Sequence, residues 1–482
     1  MRLLLSVRTL LASAVVVAAV LSLTSASRAI TITVNSLADT GTASICALRD
    51  AITAANTMTV TNGCAAGTGN DTIHFSVTGT IHLSCTLPEI TDRSLTVSGP
   101  ASRGIVLSGG GTVPLIVVAS GARANFRNLA MFDGSTEGAG GGIFNSGTLG
   151  ITRCTFSGNT ALVGGAIFND GTLSIGNSTF SSDDSAEGGG IFNAGTLRVT
   201  NSTFSDNDSA KGGGIFNDGT LRVTNSTFSE NDAGDGGGIL NAGTLTVTNS
   251  TFAGSNAARG AAVFNSGTAN ITNCTFAMNG AATGGGVFNS DSLTISFSTF
   301  SGNDAASGGG MQNNGRASVK STILAASTFG GNCSGTIVDA GYNLSDDNTC
   351  RLGAAGSQKS IDPGLDRAGL HNNGGPTQTI SLLPGSPAID AIPLDSCTDQ
   401  ATPPDRLKTD QRGFPRPDAG EAFCDIGAYE SGSFAGQPGK ASCYGRSVFA
   451  LVHEFGGIDA AASAFGYPSR KALHDDLRAF CG

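Results

Sequence analysis

The 482-residue chain contains no Trp, four Tyr and five His, and only 13% of its residues are charged. Few His means few of the commonest general bases and metal ligands. Beyond the N-terminal stretch there is no apolar run of the ~20 residues that a membrane-spanning helix needs. A formal charge of −10 argues against nucleic acid or anionic lipid as a partner. What is plentiful is glycine, with 70 residues. Glycine at this level often accompanies disorder, but 39% apolar residues held in strict register argue for an ordered chain.

The register is a 24-residue repeat from about Gly140 to Ser327, with the unit GGGIFN-x-GTL-x-VTNSTFS-x-N. One asparagine recurs at Asn145, Asn169, Asn193, Asn217, Asn241, Asn265, Asn289 and Asn313. An aromatic keeps step at Phe156, Phe180, Phe204, Phe228, Phe252, Phe276 and Phe300, and Phe132 falls 24 residues ahead of the first of them. A fixed period of this size defines a solenoid, whose units bury their apolar sides only against neighbours. Leu149, Leu173, Leu197 and Leu221 form one column, and Ile151, Ile175, Val199 and Val223 another two residues on. Apolar, often β-branched residues two apart share one face of a strand. Leucine-rich repeats have similar length but often carry a helix, which the Gly triplet and Asn/Ser turns disfavour. The expected fold is therefore all-β, a parallel β-helix, right-handed by the crossover rule. At ~4.8 Å per coil, eight regular coils make a rod on the order of 38 Å long.

Met1–Ala29 has the form of a secretory signal: Arg2 and Arg8, an uncharged apolar run Thr9–Leu23, then small residues. Residues 30–70 read as a cap on the first coil, with Ser44 placed to cap a helix whose apolar side is Leu48, Ile52 and Ala55. The β-helix is expected over 71–350, with 351–432 a separate module and 433–482 a helical tail. Eleven Cys in an exported chain imply disulfides. Local spacing suggests Cys46–Cys64, Cys333–Cys350, Cys397–Cys424 and Cys443–Cys481, with Cys85 left over or competing for Cys64. Cys154 and Cys274 share a column five coils apart, too far to bridge, and read as buried thiols.

Some motifs carry resemblances. Cys46-Ala47-Leu48-Arg49-Asp50-Ala51 resembles the C-S-L-R-E-A motif of a domain found at the start of bacterial surface β-helix proteins, with Ala47 for Ser and Asp50 for Glu. Four later motifs together look like the choice-of-anchor Q domain that follows such β-helices: Asn372–Thr377, Leu383–Asp390, Thr409–Gly413 and Cys424–Glu430. The GGG-I and F-x-x-N elements resemble repeats of chlamydial polymorphic outer-membrane proteins, which are adhesins, but their C-terminal barrel has no counterpart here. These resemblances imply an extracellular or cell-surface protein of a bacterium.

Within the repeats the polar columns have stacking explanations. The Asn145 column and the Asn177, Asn201, Asn225, Asn249 and Asn273 column read as ladders of amides and turns. Glu187, Lys211, Asp235 and Arg259 alternate in sign up one edge. Asp184, Asp208 and Asp232 share a column and would repel unless solvated or bridged by Ca²⁺, the one cofactor the sequence suggests. A polysaccharide lyase or glycosidase needs paired carboxylates or Ca²⁺ with a base, and His, Tyr and Trp are all missing from the repeats. Sugar-stacking aromatics would require the Phe144 column to face outward, and the pattern does not decide between Ile143 and Phe144 as the inward residue. Flat Thr columns suggest ice binding, but Arg198 and Arg222 interrupt the plane. The expectation is a non-catalytic exported rod, adhesive or structural, whose partner is an unidentified surface glycan or host or cell-envelope ligand.

Overall fold

The computed structural model describes residues 29–101, 104–417, 422–431, 448, 451–452, 457–464 and 467–481. The expected signal segment, apart from Ala29, and Cys443 lie outside the described residues. The chain is an all-β, right-handed parallel β-helix of about 11 coils, each about 24 residues long in the regular part. A regular coil has four sides, exemplified by Ile143–Asn145, Thr148–Thr152, Thr155–Ser157 and Thr160–Val163. Stacked on their neighbours, these build parallel sheets of 10, 13, 13 and 7 strands.

Side-chain alternation decides what fills the rod. On the second side Leu149 and Ile151 point in, while Thr148 and Thr152 point out. The third side contributes one large residue per coil, Phe156 through Phe300, all fully buried. Their rings stack 4.4–5.0 Å apart and within 9° of parallel. On the first side Ile143 and Asn145 both face inward and Phe144 faces out. The corner after the second side turns on Asn177, Asn201, Asn225, Asn249 and Asn273, whose φ of 49–53° lies in the left-handed region that asparagine tolerates. At the Gly triplet, Gly188 has φ +72°, and a Cβ on it would sit 2.4 Å from the Ile191 carbonyl oxygen, so no other residue fits.

Two sequence expectations need correction. Met131, not Phe132, pairs with Phe156, and Phe132 pairs with Ser157, because that coil step is one residue longer than the regular period. Ser44 does not cap the first helix, α1 (Leu48–Thr57), whose N-cap is Ala47 without a side-chain bond. The segment before α1 is held instead by the Cys46–Cys64 disulfide and by Asn35 Oδ1, which accepts from the Cys46 amide at 2.9 Å.

The Asn145 column is the polar spine of the interior. Each Nδ2 donates to Oδ1 of the asparagine one coil on, at 2.6–2.7 Å from Asn145 to Asn313. The same Nδ2 groups reach backbone carbonyls, as Asn217 does to Gly219 at 3.2 Å, so a buried polar row is almost fully satisfied. Asn217→Ala is expected to cost about 2 kcal/mol, since it strips Asn193 of an acceptor and Asn241 of a donor inside the rod. Urea unfolding midpoints check it; a loss under about 0.5 kcal/mol would mean the row is dispensable.

Candidate interaction surfaces

The residues of the C-S-L-R-E-A-like segment act on the cap itself. Arg49 pairs with Asp39 at 2.7 Å and donates to the carbonyls of Cys85 and Thr86, tying α1 to the next coil. Asp50 accepts from the Gly41 amide and from Asn62 Nδ2, both at 2.6 Å.

A second internal row, formed by the last position of the F-x-x-N element, runs through Asn159, Asp183, Asn207, Asn231, Ser255, Asn279 and Asn303, all fully buried. Its amides donate to backbone carbonyls of the preceding coil, for example Asn207 Nδ2 to Phe180 O at 3.1 Å. Asp183 accepts twice from Asn159 through Oδ1, at 2.8 and 2.9 Å, but its Oδ2 is buried without a partner. Burial pushes the Asp183 carboxyl up to about 8, although its bonds with Asn159 and Ser181 pull the other way. It is a neutral acid in a row of amides.

Outside, four kinds of surface recur. The Phe144 column forms an outward stripe, half-buried at Phe144, Phe168, Phe192 and Phe216 and buried at Leu240, Phe264 and Phe288. Its rings mostly stack on one another, Phe144 on Phe168 at 5.0 Å and Phe264 on Phe288 at 5.1 Å, while Phe216 meets Phe192 edge-on at 4.9 Å. Arg259 lies over Phe264 and Phe288, 4.8 and 5.6 Å from the centroids. Most of this column therefore offers its ring faces to neighbouring rings rather than to a sugar.

The fourth side is acidic. Asp184, Asp208 and Asp232 stand in register on adjacent strands, all exposed. Partial desolvation and the charge of Asp208 raise the Asp184 carboxyl above its ordinary value. Among the described residues no group of three or more His, Cys, Asp or Glu converges as a metal site requires. A cation at these aspartates would sit on exposed side chains of successive coils. The neighbouring charges pair up, Glu187 with Lys211 at 2.7 Å and Asp235 with Arg259 at 2.6 Å. The second side is the opposite in character, a flat face of Thr and Ser hydroxyls with interspersed arginines.

The fourth surface is made by the chain after the last coil. Residues 361–417 and 422–431 fold back onto the rod, sharing an apolar core in which Leu382, Ala388, Ile392 and Ile426 meet Phe297, Ile323 and Leu344. The Cys397–Cys424 disulfide and the Ile392–Pro393/Phe423–Cys424 strand pair hold this cover together. The four anchor-like motifs converge inside it. Asp410 pairs with Arg412 at 2.7 Å, and Arg412 lies between the rings of Phe414 and Tyr429, 4.4 and 3.7 Å from their centroids. Arg416 Nε lies 2.8 Å from Glu430 Oε2, an ion pair off the line of a hydrogen bond, and its guanidinium stacks on Phe297 at 4.7 Å. Gln411 reaches the rod: its Oε1 accepts from Thr275 Oγ1 at 2.6 Å and its Nε2 donates to Thr251 Oγ1 at 2.8 Å. Asp410, Asp425 and Glu430 are three buried carboxyls beside the guanidiniums of Arg412 and Arg416. Burial raises Asp425 to about 6, against bonds from Ser431 and the charge of Arg416, and burial also raises Glu430.

The Cys333–Cys350 bridge closes the last irregular coil; Cys85 is exposed and unbridged, and Cys154 and Cys274 are buried thiols. In the tail, α2 (Ile458–Ala464) packs on α3 (Arg470–Cys481) through Ala461, Ala462, Leu473 and Leu477. No helix among the described residues is long and apolar enough to cross a membrane.

Fold and surfaces together define a parallel β-helix whose flank carries its own cover. The family described as "Right handed beta helix region" matches residues 89–252. No curated protein and no solved structure matches the chain.

Proposed function

We propose that this is an exported, non-catalytic β-helical rod of the bacterial cell surface or secretome, adhesive or structural, with a surface glycan or another host or cell-envelope ligand as its partner. The observation that carries this reading is the second side. Its Thr and Ser hydroxyls recur in register from coil to coil and point to solvent over the N-terminal coils, while the inward columns are taken up by ladders. A face that repeats the same hydroxyls at every coil suits multivalent contact with a repetitive ligand better than a single reaction. The three disulfides suit an oxidising compartment. The resemblance of the cap and cover to the C-S-L-R-E-A and choice-of-anchor Q domains points to the cell surface as well.

The test is to offer the purified chain a panel of polysaccharides and intact cells. Binding without change in the polymer is the expected result. Release of reducing ends or unsaturated products, abolished by EDTA or by Asp184→Ala, would replace this reading with a lyase or glycosidase.

A further inference from the structure

The charges of the rod are sorted by side. On the second side, no strand from Arg123–Arg127 to Arg316–Lys320 carries an Asp or Glu. It does carry Arg123, Arg127, Arg198, Arg222 and Arg316, all exposed and none with an ion-pair partner among the described residues. Lys320 is the exception, because its Nζ is spent on Thr398 of the cover at 2.6–2.7 Å. On the fourth side the pattern inverts: Asp184, Asp208, Asp232 and Asp304 face out, and both cations there are paired with carboxylates. Going round a coil in either direction, another side separates these two.

Arg198 and Arg222 sharpen the point. They are direct register partners on adjacent strands, so two guanidiniums stand ~4.8 Å apart at their base with no anion between them. Like charges directly opposite destabilise a sheet, and an acid in either neighbouring coil would relieve them. Position 174 is Ser and position 246 is Thr. Thr196, Thr200, Thr220 and Thr224 flank the pair with outward hydroxyls. The net charge of −10 hides this face, since at ~8–10 Å screening an approaching ligand responds to the nearest side.

We propose that the second side is a docking face for an acidic polysaccharide, one bearing carboxylate or sulfate groups. Guanidiniums bind such groups through paired N–H donors, and the threonine hydroxyls take the sugar hydroxyls. A chain lying along the rod meets Arg127, then Arg198 and Arg222, with hydroxyl rows between. This inference rests on the adhesive reading and names its ligand class.

The experiment uses the full chain with polygalacturonate, heparin, neutral dextran and duplex DNA as probes, at low and at 0.3 M salt. Polygalacturonate or heparin is expected to bind, to weaken with salt, and to lose at least ~10-fold in affinity in Arg198→Glu/Arg222→Glu. Asp206→Lys, on another corner, is expected to leave affinity within about twofold. Neutral dextran bound equally well, unaffected by the arginine change, would overturn the inference and keep the adhesive reading. Equal arginine-dependent binding of duplex DNA would overturn the polysaccharide assignment, and binding of none of the glycans would overturn both.

Discussion

Asp183→Asn is expected to stabilise the rod, and by more as the pH rises. Asn207 shows what the position asks for, a side chain whose Oδ1 accepts from the amide of Asp183 one coil back and whose Nδ2 donates to the Phe180 carbonyl. Asp183 meets the second demand only while protonated, since its Oδ2 has no donor to accept from. The folded chain keeps that proton up to about pH 8, whereas an unfolded aspartate releases it near pH ~4. The folded state thus holds the extra proton between these values. Its full contribution is present below pH ~4, declines as pH rises, and is gone above the folded value. Each pH unit in that window removes ~1.4 kcal/mol from the parent but nothing from the asparagine variant. At neutral pH the gap is on the order of 4 kcal/mol. Parallel urea titrations at pH 5 and pH 8 measure it, and a gap that stays constant with pH would show Asp183 already ionised in the fold. Asp183 faces inward and Asp184 outward, so the change leaves the acidic surface intact.

Arg416→Ala should cost about 3–5 kcal/mol, because it leaves Glu430 and Asp425 buried without their nearest cation. The loss also exposes the Phe297 ring on which the guanidinium lies. The damage should fall on the cover rather than the coils: Arg416 touches the rod at Phe297 and through a long Nη1 bond of 3.5 Å to Asn273 Oδ1, and takes no part in the inward Asn145 ladder. Limited proteolysis is therefore expected to cut within residues 361–431 while the repeats stay protected. Simultaneous digestion of rod and cover would show that the two unfold as one unit, and a variant as resistant as the parent would show the ion pair to be expendable.

The repeat was legible because a solenoid writes its stacking contacts into the sequence at a fixed interval. Leu149, Ile151 and Phe156 declare themselves by alternation and bulk. The first side was not legible, since Ile143 and Phe144 are both apolar and the strand is three residues long. The vote lay with Asn145, which is two residues from Ile143 and shares its inward face; treated as a turn residue, it gave no guidance. The Asn159 row was visible as the last position of F-x-x-N, but not as an interior row, because a polar residue beside a turn looks solvated. Arg198 and Arg222 were visible as an interruption of a threonine plane. Their lack of counter-charges became apparent only once four sides of a coil could be compared. The four late motifs were recognisable one by one, but nothing in their spacing says that they return to cover Thr251, Thr275 and Thr299.

That return has a mechanical consequence. Gly427 bonds to Ser321, Ala428 to Thr299, Gln411 to Thr275 and Thr251, and Thr377 to Asn249. Tension drawn through the C-terminal tail of a tethered molecule would therefore enter the rod sideways, spread over several coils in parallel. Pulled this way the attachment is loaded in shear, where many bonds must yield together, instead of peeling the last coil from the stack one bond at a time.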